Sequence, residues 1–320
     1  MKKITRLLKN RDFILILSLV TGLAWGEGAQ WTEGLTLPVL AAIMTLSTMG
    51  IRGDVFRDPK GLLVPALAGM GMSYLLLGGF LLLSSSVLIR DEAIRNGFVI
   101  LASVPPAVAV IPFTLFLNGN LTFSLIGTMG AYLGALVITP LLTLGLLGTG
   151  FIDPVKLVII LLELILIPLI LSRILLRTGI ASKIEPLKGA ITNWSFFVIC
   201  YTIVGLNREV FFTQPLILLP VVIIALASTF VLGWAIEKAG QAVKFEPSKL
   251  TSLILLGTLK NYGLAGGLAL ALFSKKTALP ATVSAVFLVV YIIWLQMKVR
   301  KKSKVKHATV DKRDRSGGDP

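Results

Sequence analysis

The sequence predicts an all-α membrane protein of ten transmembrane helices, built as a five-plus-five inverted repeat with broken, crossing helices 4 and 9. Three observations predict it: apolar runs near membrane-spanning length, basic residues confined to alternate loops, and helix-breaking residues at matching places in the two halves. The chain of 320 residues is 55% hydrophobic and 15% charged, with a mean hydropathy of +0.87. Such a composition suits helices solvated by lipid better than one water-surrounded core.

The spans are expected at residues 13–26, 36–51, 62–87, 93–117, 121–147, 153–177, 189–206, 214–236, 248–273 and 278–298. The first follows a basic stretch, KKITRLLKNR, that resembles a signal peptide; it is read as retained, because nine further spans then complete two equal halves. The first and seventh are short, so they either extend into their loops or sit where the structure is thin. With the N-terminus inside, the inner segments carry Lys2, Lys3, Arg6, Lys9 and Arg11, then Arg52, Arg57 and Lys60, then Arg173, Arg177, Lys183 and Lys188, then Lys238, Lys244 and Lys249. The outer loops hold only Arg90, Arg95, Lys156, Arg208, Lys275 and Lys276. Both termini therefore lie on the cytoplasmic side of a plasma or inner membrane.

Ten spans divide into repeat 1 (13–147) and repeat 2 (153–298), and an odd-numbered unit repeated once must cross in opposite senses. The fourth span of each half is the broken one. SVPPAVAVIPF sets Pro105, Pro106 and Pro112 in one membrane segment, removing backbone donors. Gly257, Asn261 and Gly263 fall at the matching place in the second half, where weak helix formers let the chain unwind. Residues 1–298 form one transporter-like membrane domain, and the basic stretch 299–320 reads as a disordered cytoplasmic tail.

The net charge of +15 does not imply nucleic acid, because the basic residues sit in loops and tails without interleaved aromatics or a binding motif. The single cysteine, Cys200, permits no intramolecular disulfide, and no cluster of ligand residues suits a metal or cofactor. HExxH, GxSxG and P-loop patterns are absent, so no enzyme is expected.

The rare polar groups inside the spans are the candidate site. Lys260 lies about 18 Å along a helix that crosses some 30 Å of hydrocarbon, too deep to snorkel, and a charge there needs a cavity or a partner. Glu163 is the other ionisable group inside a span and the natural candidate partner; protonated and hydrogen-bonded to backbone, it is equally allowed. Asn261 is placed to satisfy freed backbone groups or to hold substrate. Ser124 and Thr128 share a face of the fifth span, facing either an unwound neighbour or the carbonyl one turn back. Gly130 with Gly134, and Gly263 with Gly267, form small-x-x-x-small pairs that suit close helix packing.

These residues carry a family resemblance. LKNYGLAGGLALALFSKKTALPATVSAVF resembles the ninth and tenth helices of the bile acid:sodium symporter family, which belongs to a superfamily with auxin-efflux and arsenite carriers; Asn261, Gly263, Leu264 and Ala265 keep the Asn-x-Gly-Leu-Ala core. SVPPAVAVIPFTLFLNGNLTFSLIGTMGAYLGALVITPLL is similar to its proline turn and following helices, and TMGIRGDVF is a weaker echo. The resemblance implies a panel of helices 1, 2, 6 and 7 against a core of the other six, and alternating-access, sodium-coupled symport of small organic anions. Of the ion ligands it implies, Ser124 and Thr128 match. The Ser-Asn pair reads Val110 and Ile111, the Glu position reads Leu256, and the Gln position reads Lys260. Valine, isoleucine and leucine side chains offer a cation no oxygen, so sodium is not expected at its usual places and Lys260 is read as its built-in substitute. A permanently charged lysine leaves transport sodium-independent; one that titrates lets a proton take sodium's role. Two alternatives stand beside this: sodium symport through residual ligands, and a transport-dead membrane sensor.

Overall fold

The computed structural model describes residues 11–49, 59–107, 109–148, 162–206, 208–213, 215–288 and 290–292, with 155, 159, 294, 295, 297 and 298. The N-terminal basic stretch, TMGIRGDVF from Gly50 on, most of the first ten residues of the sixth predicted span and the tail 299–320 lie outside the described residues.

The described chain is helical and forms no strand. It opens with α1 (Arg11–Ala24), the short α2 (Ala29–Glu33) and α3 (Thr36–Thr48). α4 (Pro59–Met70) continues through a π-helical stretch, Gly71–Gly78, into α5 (Gly79–Leu88). Then come α6 (Glu92–Ser103), α7 (Val110–Phe116) and the long α8 (Leu121–Leu147). A second π stretch, Leu162–Leu166, leads into α9 (Ile167–Arg177), followed by α10 (Ile180–Leu206) and α11 (Arg208–Thr213). α12 (Pro215–Leu226) joins α13 (Leu232–Ala242) through a third π stretch, Ala227–Val231. α14 (Pro247–Leu256), α15 (Tyr262–Leu272) and α16 (Lys276–Ile292, opening on a 3₁₀ turn) complete it.

Among the described residues, four helices, Gly61–Leu88, Leu121–Leu147, Ile180–Leu206 and Leu216–Ala242, are long and apolar enough to cross a membrane. The fourth and ninth predicted spans fall short of that length because each is divided, into α6 and α7 and into α14 and α15. The seventh span is longer than predicted: α10 begins at Ile180, and Lys183 and Lys188 ride on it rather than in a loop. The eighth likewise runs on to Ala242.

α10 lies along α1, α3 and α9, whereas α8 lies along α4, α6, α7 and α14; α15 meets both groups, through α6 on one side and α3 and α10 on the other. The main apolar cluster joins Leu77 of the first π stretch, Phe98 of α6, Val221 of α12 and Leu264 of α15 to Ile43 of α3 and Ile199 of α10. Small residues set the α4–α8 distance, as expected where lipid removes the hydrophobic drive between helices. A Cβ on Gly69 would lie 2.1 Å from the Gly127 carbonyl oxygen, and one on Gly130 2.6 Å from the Ala66 Cβ. The close packing expected of Gly130 is therefore present.

Both broken helices are tied down where they start. Asp91 caps α6 by accepting from the Ile94 amide and pairs with Lys276 at 2.6 Å. At α14, the Ser252 hydroxyl donates to the Asn120 carbonyl, and the Asn120 amide donates to Ser248 O. Partial burial works to raise the Asp91 carboxyl, but the Lys276 ammonium and the backbone amides of Ile94 and Ala93 outweigh it and hold the group below its ordinary value. A carboxylate lowered in this way contributes stability above its unfolded pKa of about 4 and loses it as pH falls through the folded value. The melting temperature of Asp91→Asn is accordingly expected to be lower than wild type at neutral pH, with the gap closing below about pH 4; an unchanged gap in acid would contradict this.

Candidate functional site

The two broken helices meet at their breaks. Pro106 and Lys260 form an isolated antiparallel bridge: the Ala107 amide donates to Leu259 O at 3.2 Å and the Asn261 amide to Pro105 O at 3.0 Å. The local cause lies in the sequence. Prolines 105 and 106 bring no N–H, so the carbonyls one turn earlier lose their helical partners, and the residue before a proline is pushed to extended backbone. Val104 is extended, with φ −76° and ψ 156°. In the second helix, Gly257 ends α14 and Asn261 begins α15.

Lys260 answers that loss. Its Nζ donates to Ala102 O at 2.8 Å, to Val104 O at 2.7 Å and to Ser73 Oγ at 3.1 Å. Ala102 O is the acceptor that an amide at position 106 would have used, so the ammonium supplies the donor that Pro106 lacks. It also sits at the carbonyl end of α6, where the helix dipole favours a cation, and 4.7 Å from the Tyr74 ring centroid, in range of a cation–π contact. Three acceptors occupy its three protons, and the residue is 0% exposed. Ser73 and Tyr74 are presented by the π stretch, whose widened turn is a frequent feature of functional sites. The Tyr74 hydroxyl is anchored on Ala131 O of α8 at 2.7 Å.

Asn261 caps α15: its Oδ1 accepts from the Leu264 amide at 3.0 Å, and its Nδ2 donates to Tyr132 Oη at 2.9 Å. Of the two expected roles, satisfying freed backbone groups is the one made here. Asn261→Ala removes the cap and this donor to a buried phenol, an expected loss of about 1–2 kcal/mol, whereas Asn261→Asp keeps the cap oxygen and loses less; thermal unfolding of the pair checks the order.

Ser124 and Thr128 line the same face of α8, both buried. Thr114 of α7 donates to Ser124 at 2.7 Å, the expected contact with a neighbouring broken helix. The Thr128 hydroxyl is buried and, among the described residues, has no hydrogen-bond partner. Leu256 is fully buried and packs against Gly127, beside Thr128; Val110 is buried as well.

Three sequence expectations are corrected. Glu163 does not meet Lys260: it is exposed on the Leu162–Leu166 turn, and among the described residues no ion pair joins the two. Its place in an apolar span was legible, but not the face it presents. Pro112 does not break the chain, because it falls in the first turn of α7, where a missing N–H costs nothing. Gly263 lies inside α15 after the break. Ser73, Tyr74, Thr114 and Tyr132 were not foreseen. Tyr132, four residues after Thr128 on one helix face, carried a signal in its spacing.

The chain matches the model of the sodium bile acid symporter family over residues 34–214, more than half its length and inclusive of the Pro105–Pro106 break, α7 and α8. A comparison with curated proteins finds no match. With that match and the crossed breaks together, the chain belongs to the sodium bile acid symporter family, an integral membrane transporter family.

Proposed function

We propose that this protein is a secondary transporter of small organic anions, in which the ammonium of Lys260 stands permanently where its family relatives place a coupling cation. One observation carries the reading: Nζ is held by two backbone carbonyls, a hydroxyl and an aromatic face at the crossing of the broken helices. That shell of oxygens is what a small cation would need. Because all three protons are engaged, Lys260 acts by holding the crossing in shape rather than by touching substrate. The bound anion is drawn instead to the amino end of α15, with its positive dipole.

An inverted five-plus-five plan is supported by the breaks at 104–107 and 257–261, each preceded by a helix with a π stretch, Gly71–Gly78 and Ala227–Val231; the basic residues of alternate loops favour cytoplasmic termini. In that plan the crossing lies at the midplane, where alternating access exposes it to each side in turn.

Sodium symport is a second reading, favoured by the buried, unpartnered Thr128 hydroxyl. It is the weaker one, since Ser124 already accepts from Thr114 and the Asn261 oxygen from Leu264. Uptake of labelled bile acids and other small organic anions into proteoliposomes separates the readings. Equal rates with sodium or potassium outside support the built-in cation. A requirement for a sodium gradient overturns it, and binding without turnover marks a sensor.

A further inference from the structure

Away from the crossing, a groove of about 600 Å³ opens between α5, α6 and the end of α8. Its character changes along the helix axes. Near the helix ends it is polar, lined by Glu92, Arg95 and Asn96 from the first turns of α6. Leu146 and Leu147 from the last turn of α8 close this end; deeper, past Ser85 and Ser86, the wall turns apolar at Leu82 and Leu83 of α5 and Val99 of α6 and reaches Gly79. Gly79 lies nine residues below Leu88, about 13 Å into the bilayer, and a Cβ there would meet nothing within 4 Å. Leu83 at 69% and Val87 at 74% exposure flank the groove with the surface that acyl chains cover.

We propose that this groove seats a zwitterionic phospholipid of the ethanolamine class. Its phosphate rests on Arg95 and Asn96, its ammonium on Glu92, and one acyl chain runs down along α5, past Leu83 and Leu82, to Gly79. The charges fit this occupant and no simpler one. Glu92 and Arg95 sit one helical turn apart, a spacing of about 5–6 Å between Cβ atoms and of the same order as the phosphate-to-nitrogen reach of ethanolamine. Among the described residues neither forms an ion pair, so each is free to meet a headgroup. An anionic lipid would leave Glu92 facing a phosphate without a cation, and a choline head has no N–H for its carboxylate. The assignment is independent of whether Lys260 replaces sodium.

Native mass spectrometry of the full chain tests it, with equimolar phosphatidylethanolamine, phosphatidylcholine and phosphatidylglycerol added in detergent. Wild type is expected to retain phosphatidylethanolamine most. Arg95→Ala should weaken its retention roughly fivefold, the worth of one basic side chain at a lipid surface. Glu92→Gln should erase the preference over phosphatidylglycerol. Gly79→Phe should expel the lipid while leaving the melting temperature in lipid-free detergent unchanged; if it does not fold, the two exposed variants decide. Equal retention by wild type and Arg95→Ala, or a wild-type preference for phosphatidylglycerol, overturns the proposal. Displacement by water-soluble phosphoethanolamine at equal concentration also overturns it, because the chain would then contribute nothing.

Discussion

Lys260→Met is expected to lower the stability of the protein by about 3 kcal/mol and to abolish transport. Methionine matches the length of the stem without its charge, so packing is kept and the ammonium alone is removed. What is lost are charge-assisted hydrogen bonds to Ala102 O and Val104 O, each worth about 1.5–3 kcal/mol net, and a cation–π contact with Tyr74. The Ser73 hydroxyl can turn to a carbonyl of its own helix at little cost. Relief from burying a charge at the helix centre offsets about 2.5–3.5 kcal/mol, which keeps the net figure near 3. Thermal unfolding in detergent reads the stability, and a variant as stable as wild type would mean that the crossing does not depend on the ammonium.

Gly69→Ala should cost about 1–3 kcal/mol, the usual range for overpacking. Its Cβ would stand 2.1 Å from the Gly127 carbonyl oxygen and 2.6 Å from the Gly127 Cα, both backbone atoms that no rotamer change can move aside. α4 must therefore shift away from α8. Ser73 is one turn further along the same face, so the shift also draws the hydroxyl and the Tyr74 ring off Lys260. Transport should fall more than stability alone explains. Gly71→Ala is the control: a Cβ there meets nothing within 4 Å, and alanine favours the helix by up to about 1 kcal/mol. Equal melting temperatures for the two variants would contradict the close-approach argument.

What the sequence made legible follows from what leaves a mark in it. A lysine in an apolar span, a Pro-Pro pair and an asparagine four residues after Gly257 each violate a local rule, and each proved to sit at the crossing. The acceptors of Lys260 were illegible because two of them are backbone carbonyls, which carry no residue identity. Ser73 and Tyr74 were hidden by the π turn, whose register differs from the 3.6-residue period used to assign faces. Glu163 failed for the complementary reason: in a nearly uniform apolar run, periodicity fixes that a residue is in a span but not which way it points. Pro112 shows that a proline's effect depends on its position within a helix, which residue type alone does not give.

The most direct test of the built-in cation is the melting temperature of the purified protein in sodium and in potassium at equal ionic strength, for wild type and for Lys260→Gln. Wild type should melt at the same temperature in both salts. Lys260→Gln exchanges the ammonium for an amide oxygen facing Ala102 O, Val104 O and Ser73 Oγ, a set of oxygens that a monovalent cation can fill, so its melting temperature should rise in sodium alone. Stabilisation of wild type by sodium would show that a cation site survives beside Lys260, and would contradict the claim that the lysine has taken its place.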